Sequence, residues 1–194
     1  MPRQVNSDDR RRDIARAVYR VVARGGLEAA SMREIAREAG CTTGALTHHF
    51  ADRRELLDHA VGLAVDESME RLLAAARSHG LRAALAEFLP LDELRRQENA
   101  VWLVGVSAAT RDEQLAARLS RRYAAANGLL AEELRRRLLL DGRRADGEEV
   151  GLLVDEVLSA VDGIAVWATA DPGRYPPERQ MALVDRVLQR TGLA

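Results

Sequence analysis

The chain has 194 residues, 47 % apolar and 30 % charged, with a net charge of −1. That is enough apolar material for a core, but no run approaches the roughly 18 apolar residues that cross a bilayer. The single cysteine, Cys41, excludes a disulfide framework within one chain, and the 29 basic residues are all arginine, which excludes chemistry that needs a lysine amine.

No charged-then-apolar leader opens the chain, so a reducing cytoplasm is the expected location. Charge is divided unevenly. Residues 1–60 hold 11 Arg against 9 acids, and residues 61–194 hold 18 Arg against 21 acids. The split suits a nucleic-acid-reading head on an acidic body, although the excess is small.

Helical periodicity runs through nearly every segment, and none alternates like a strand. Ile14, Ala17, Val18, Val21 and Val22 mark one face of a first helix, which Gly25 and Gly26 should end. Arg10, Arg11 and Arg12 before it read either as an arm along DNA or as a solvated stretch. Ser31 and Glu34 form a capping box for a second helix with Met32, Ile35, Ala36 and Ala39 inward, stopped by Gly40. Thr42 caps a short third helix to about His49. It should bury Leu46 and Phe50 and leave Thr42, Thr43, Ala45, Thr47, His48 and His49 on its other positions. Asp52 and Glu55 form another box and open a long fourth helix to about Ser78. Further helices are predicted at 81–89, 92–109, 112–140, 147–170 and 177–191. Breaks fall at Gly80, Pro90, 142–147 and Asp171-Pro172-Gly173, and Pro176-Pro177 opens the last helix.

The expected fold is therefore all-α with about nine helices. An N-terminal three-helix head (residues 1–60) joins, through the long fourth helix, a helical bundle (61–194) for ligand binding and dimerisation. The second and third helices with a glycine turn form a helix-turn-helix, whose second helix enters the DNA major groove. Hydroxyls and imidazoles on that helix can bond phosphates or base edges, and Ala45 is small enough to touch a thymine methyl. Arg53 and Arg54 stand at the positive N-terminal end of the fourth helix, where a backbone phosphate is favoured.

Several runs resemble the DNA-binding domain of the TetR family of transcriptional regulators: M-R-E-I-A-R-E-A-G at 32–40, T-G-A-L at 43–46, H-H-F at 48–50 and D-R-R-E-L-L at 52–57. The resemblance covers about residues 10–60. It implies a phosphate contact from Arg33 and backbone or base contacts from Thr42 and Thr43. Thr47 stands where the family usually has tyrosine, and Arg53 where it usually has lysine. In the body, residues 81–109, R-R-Y at 121–123 and V-D-G at 161–163 are similar to the subgroup that includes the choline-responsive regulator BetI. The function implied is a ligand-responsive repressor that binds a near-palindromic operator as a homodimer.

Phe88, Trp102, Tyr123 and Trp167 are the large aromatics of the body and read as effector-pocket walls or as ordinary core. Asn127, like Asn99, lies in an apolar or alanine-rich stretch and is a candidate to orient a ligand. The 147–170 helix is apolar on more than one side, and with the last helix it can form a four-helix contact to a second copy. His48 and His49 are adjacent and do not share a helix face, so no metal site is expected. No cofactor motif, phosphate loop, nucleophile elbow or zinc signature occurs, so the chain does not read as an enzyme. A non-specific DNA-associated or protein-interaction module is the alternative.

Overall fold

The computed structural model describes residues 7–140, 142 and 146–193. Among them there are nine helical elements and no strand. α1 (Ser7–Ala29) is interrupted at Gly26, and α2 (Met32–Glu38) and α3 (Thr43–His49) follow. α4 (Arg53–His79) runs unbroken for 27 residues, from within the head into the body. The body adds α5 (Leu81–Ala86), α6 (Glu93–Ala109), α7 (Glu113–Leu140), α8 (Gly147–Ala170) and α9 (Pro177–Arg190). Much of the predicted 142–147 break lies outside the described residues.

The caps explain these boundaries. Ser31 Oγ accepts the Glu34 N–H at 3.2 Å, Thr42 Oγ1 that of Ala45 at 3.1 Å, and Asp52 Oδ1 that of Glu55 at 2.8 Å. Each satisfies one of the donors that a helix start leaves orphaned. The Ser31 box is only half formed, because the Glu34 carboxylate turns to Arg37 and Arg24. The second box reaches one residue further back than predicted, with Glu55 Oε2 accepting from Ala51 N at 2.8 Å. Gly40 turns the chain between α2 and α3 at φ +63°, a left-handed conformation that suits a residue without Cβ.

Two main cores hold the fold. The first joins the head to the body: Ile14, Val18, Tyr19, Ile35, Leu46, Phe50 and Leu56 pack in one cluster with Val61, Val101, Leu115 and Leu119. The second lies among α5, α7, α8 and α9, around Leu85, Leu134, Val157 and Val184. Ion pairs tie α4 to α7 along its length. Arg54 bonds Asp112, Arg118 reaches Asp58 at 2.8 Å, and Arg122 reaches Asp66 at 2.8 Å.

Candidate functional site

α3 is short, capped and seated on its apolar side. Leu46 and Phe50 are buried, while Thr42, Thr43, Ala45, Thr47 and His48 are exposed and His49 is half-buried. The Thr47 hydroxyl donates back to Gly44 O at 3.0 Å, so one of its bonds is spent on its own helix. The His48 and His49 rings meet edge to face at 5.4 Å. On α2, Arg33 is exposed and makes no ion pair among the described residues, unlike Arg37, which pairs with Glu34.

Arg53 has a different place from the one its sequence position suggests. Its Nε donates to Ala30 O and its Nη2 to Leu27 O, both at 2.6 Å. The guanidinium thus closes the α1–α2 connection onto the start of α4, and two of its N–H groups are no longer available to a phosphate. Arg54, its neighbour, is held by Asp112. Arg53→Ala is therefore expected to lower the stability of the DNA-free protein by about 2 kcal/mol, since each bond has a charged donor. A thermal melt without DNA should fall by roughly 5 °C; a side chain that served only phosphate would leave that melt unchanged.

The arginine run at 10–12 does not extend away as an arm. Arg11 lies in α1 with its Cζ 4.1 Å from the centre of the Phe50 ring, donates to His49 O and pairs with Glu55 at 3.1 Å. It ties the end of α3 to α1 and α4. The His59 ring lies 5.3 Å from Phe50, and burial, then the nearby Arg11 charge, hold its imidazole below the usual histidine range.

In the body two cavities share walls. The inner one, about 30 Å³, is lined by residues that include Phe88, Glu98, Asn99, Trp102, Tyr123 and Asp162. The outer one, about 460 Å³, is lined by Trp102, Val106, Tyr123, Asn127, Asp155, Leu158, Ser159 and Asp162. Phe88, Trp102, Tyr123 and Asn127 of the predicted effector set thus converge on one region. Trp167 does not belong there. It is 59 % exposed, on another side of α8 from Asp162, and lines neither cavity.

Sequence reasoning missed Asp162 as a site residue. The signal was a lone carboxylate in the otherwise apolar stretch 157–170. Burial pushes its carboxyl up to about 6. Burial also pushes the Tyr123 hydroxyl well above the usual tyrosine range; Asp162 adds to the rise and the Trp102 indole opposes it. Glu98 was missed too. It is buried and takes a guanidinium from α4, with Arg71 Nη1 3.1 Å from Oε1. Asn99 Nδ2 is bonded to Phe88 O and Arg95 O, which fixes the cavity wall instead of leaving the amide free. Among the described residues no arginine lines either cavity, so Asp162 faces no compensating cation there.

The sequence matches the bacterial regulatory proteins of the tetR family over residues 14–60, and the BetI-type transcriptional repressor C-terminal family over residues 77–192. The chain belongs to the TetR family. The HTH-type transcriptional regulator PksA of Bacillus subtilis is 30 % identical over 185 residues, 92 % of this chain and 88 % of its own. BetI of Vibrio campbellii is 26 % identical, covering 98 % and 96 %. A solved transcriptional regulator from Rhodococcus superposes with a TM-score of 0.81 at 30 % identity, over 93 % of this chain and 95 % of its own. A regulator from Saccharomonospora viridis, solved with choline, has a TM-score of 0.80 at 18 % identity, over 94 % and 96 %, and shares the fold. As a TetR-family member with a BetI-type body, the protein is a DNA-binding transcriptional regulator. No helix among the described residues is long and apolar enough to cross a membrane.

Proposed function

We propose that this regulator is a repressor that binds a near-palindromic operator as a homodimer, in the cytoplasm, and releases it when a cationic small molecule enters the body cavity. It acts by binding, without turnover of its ligand. The observation that carries this reading is the continuity of α4. Its capped N-terminus abuts α3, and about three to four turns further on Ala64, Val65 and Ser68 form a wall of the inner cavity. A ligand that moves this wall moves the head, provided it binds the DNA-free state better.

In this reading Thr43, Ala45 and His49 meet base edges, while Arg33, Thr42, Thr47 and His48 meet backbone. A cation is the fitting ligand because Asp162 faces no base and the Phe88, Trp102 and Tyr123 rings offer π faces to an ammonium. The choline held by the Saccharomonospora regulator supports the same class. The second copy would pack on α8 and α9. Leu152 and Trp167, 65 % and 59 % exposed, with Gly163 between them, lie on one exposed face of α8, which also carries Glu156 and supports such a contact.

The decisive experiment selects DNA from a random pool with the purified protein and then titrates in choline. A two-half-site sequence bound far more tightly than random DNA, and released by the cation, is expected. Equal affinity for random and selected DNA, with a single steep salt slope, would overturn the reading in favour of a non-specific module.

Asp162 makes the pH dependence specific. Among the described residues, the titratable groups that line its two cavities with it are Tyr123, Glu87, Glu98 and Asp155, beside Trp102 and Asn127, and none of them is cationic. Its folded pKa is raised to about 6. The stability associated with its proton is therefore complete below the unfolded value and lost as pH rises through about 6. Asp162→Asn should melt higher than the parent at pH 8 and match it near pH 4. Choline affinity of the parent should rise over the same interval, because the ionised carboxylate attracts the cation. A choline affinity flat with pH would exclude Asp162 as its partner.

A further inference from the structure

The cavity has a second anionic point. Asp155 and Asp162 both line its outer part, with Leu158 and Ser159 between them on α8. Seven residues apart, they lie on one face of the helix and about 10 Å from each other along its axis. Asp162 is half-buried and Asp155 exposed, so the two mark the inner end and the mouth of one path. Trp102 and Tyr123 belong to both cavities and flank the inner end. One turn along α7 from Tyr123, Asn127 reaches only the outer cavity, and its Oδ1 is buried with no donor among the described residues. Val106 and Leu158 supply apolar wall between the polar points.

A compact monocation meets one of these carboxylates and leaves most of the roughly 460 Å³ outer volume unused. Resting on the cationic-effector reading above, we propose that the site takes an elongated dication, a linear aliphatic diamine or polyamine. One ammonium sits on Asp162 between the Trp102 and Tyr123 rings, and the other sits on Asp155 at the mouth. The methylenes lie along Val106 and Leu158, and the Asn127 carbonyl accepts an N–H from the ligand. A chain of roughly eight bonds spans the interval at the advance per bond of an extended backbone. The inner carboxylate lies where the dielectric is lowest and contributes most of the attraction. The outer one, in solvent, selects for the second charge.

The test is calorimetric titration of the full chain with choline, octylamine, trimethylenediamine and octamethylenediamine at neutral pH, repeated on Asp155→Asn and Asp162→Asn. Octamethylenediamine is expected to bind roughly fivefold more tightly than octylamine, the gain of one partly exposed ion pair, and more tightly than trimethylenediamine, which cannot reach both carboxylates. Asp155→Asn should erase the advantage over octylamine. Asp162→Asn should lose choline and diamine alike. If octylamine and octamethylenediamine bind equally while choline still binds, the two-point site is overturned and the cationic reading stands. An advantage of the diamine that survives Asp155→Asn also overturns it. If no cation binds at all, both readings fall.

Discussion

Phe50→Ala is expected to unfold the head before the body and to abolish specific DNA binding at ambient temperature. The ring is 1 % exposed and fills the space beneath α3, in one cluster with Leu46, Leu56 and Ile14. Truncating a buried phenylalanine costs about 3–5 kcal/mol, part of it lost transfer energy and part the cavity left behind. The loss here is compounded because Phe50 is also the seat of Arg11, whose guanidinium stacks on the ring and holds the His49 carbonyl. Without the ring, α3 loses both its core contact and the clamp on its C-terminal end. A thermal melt followed by circular dichroism should show a midpoint lowered by roughly 10 °C, and the operator shift should vanish. Phe50→Leu keeps much of the volume but not the cation–π contact. It should recover most of the stability and only part of the affinity. Equal affinity for Phe50→Leu and the parent would show that the Arg11 seat has no part in positioning α3.

Gly105→Val is expected to destabilise the protein, and Gly128→Ala in α7 should have the opposite sign. A Cβ on Gly105 would lie 2.5 Å from Val61 Cγ1, and Val61 is itself only 3 % exposed. α6 can approach α4 at this point only because the residue is glycine. Overpacking of this kind costs about 1–3 kcal/mol, and it forces apart the two helices that couple cavity and head. At Gly128 a Cβ would meet nothing within 4 Å among the described residues. There the replacement removes the helix penalty of glycine and should stabilise by about 0.5–1 kcal/mol. Denaturant midpoints of the two variants on opposite sides of the parent would support this packing; a stabilised Gly105→Val would contradict it. Because Gly105 lies between cavity and head, Gly105→Val should also weaken the effect of choline on DNA binding beyond what its stability loss accounts for.

Helix boundaries were legible because their determinants lie within a few residues. Ser31, Thr42 and Asp52 each accept an N–H three positions on, and Gly40 turns the chain by its own conformation. The apolar face of α3 followed from the four-residue spacing of Leu46 and Phe50, and membership of the TetR family from the runs around them. Partner choice was not legible in the same way. Glu34 sits at the right offset to close a capping box, yet two arginines from the same head draw its carboxylate away. Arg53 sits where a phosphate contact is natural, yet the Leu27 and Ala30 carbonyls, more than twenty residues back, claim its guanidinium.

The same division runs through the body. Periodicity showed that α8 is apolar on more than one side, but not which side meets the cavity and which faces outward. Only the packing of α4, α6 and α7 sorted them, placing Asp162 beside Trp102 and Tyr123 and leaving Trp167 in solvent. The sequence by itself thus determined the all-helical class, the capped head and the family, because short-range hydrogen bonds and helical periodicity are written in consecutive residues. The tertiary structure alone decided which charges are spent inside the protein, which side chains line the cavities, and where head and body touch. Those outcomes depend on which side chains distant segments bring within a few ångströms, and on the cost of leaving a buried charge without a partner.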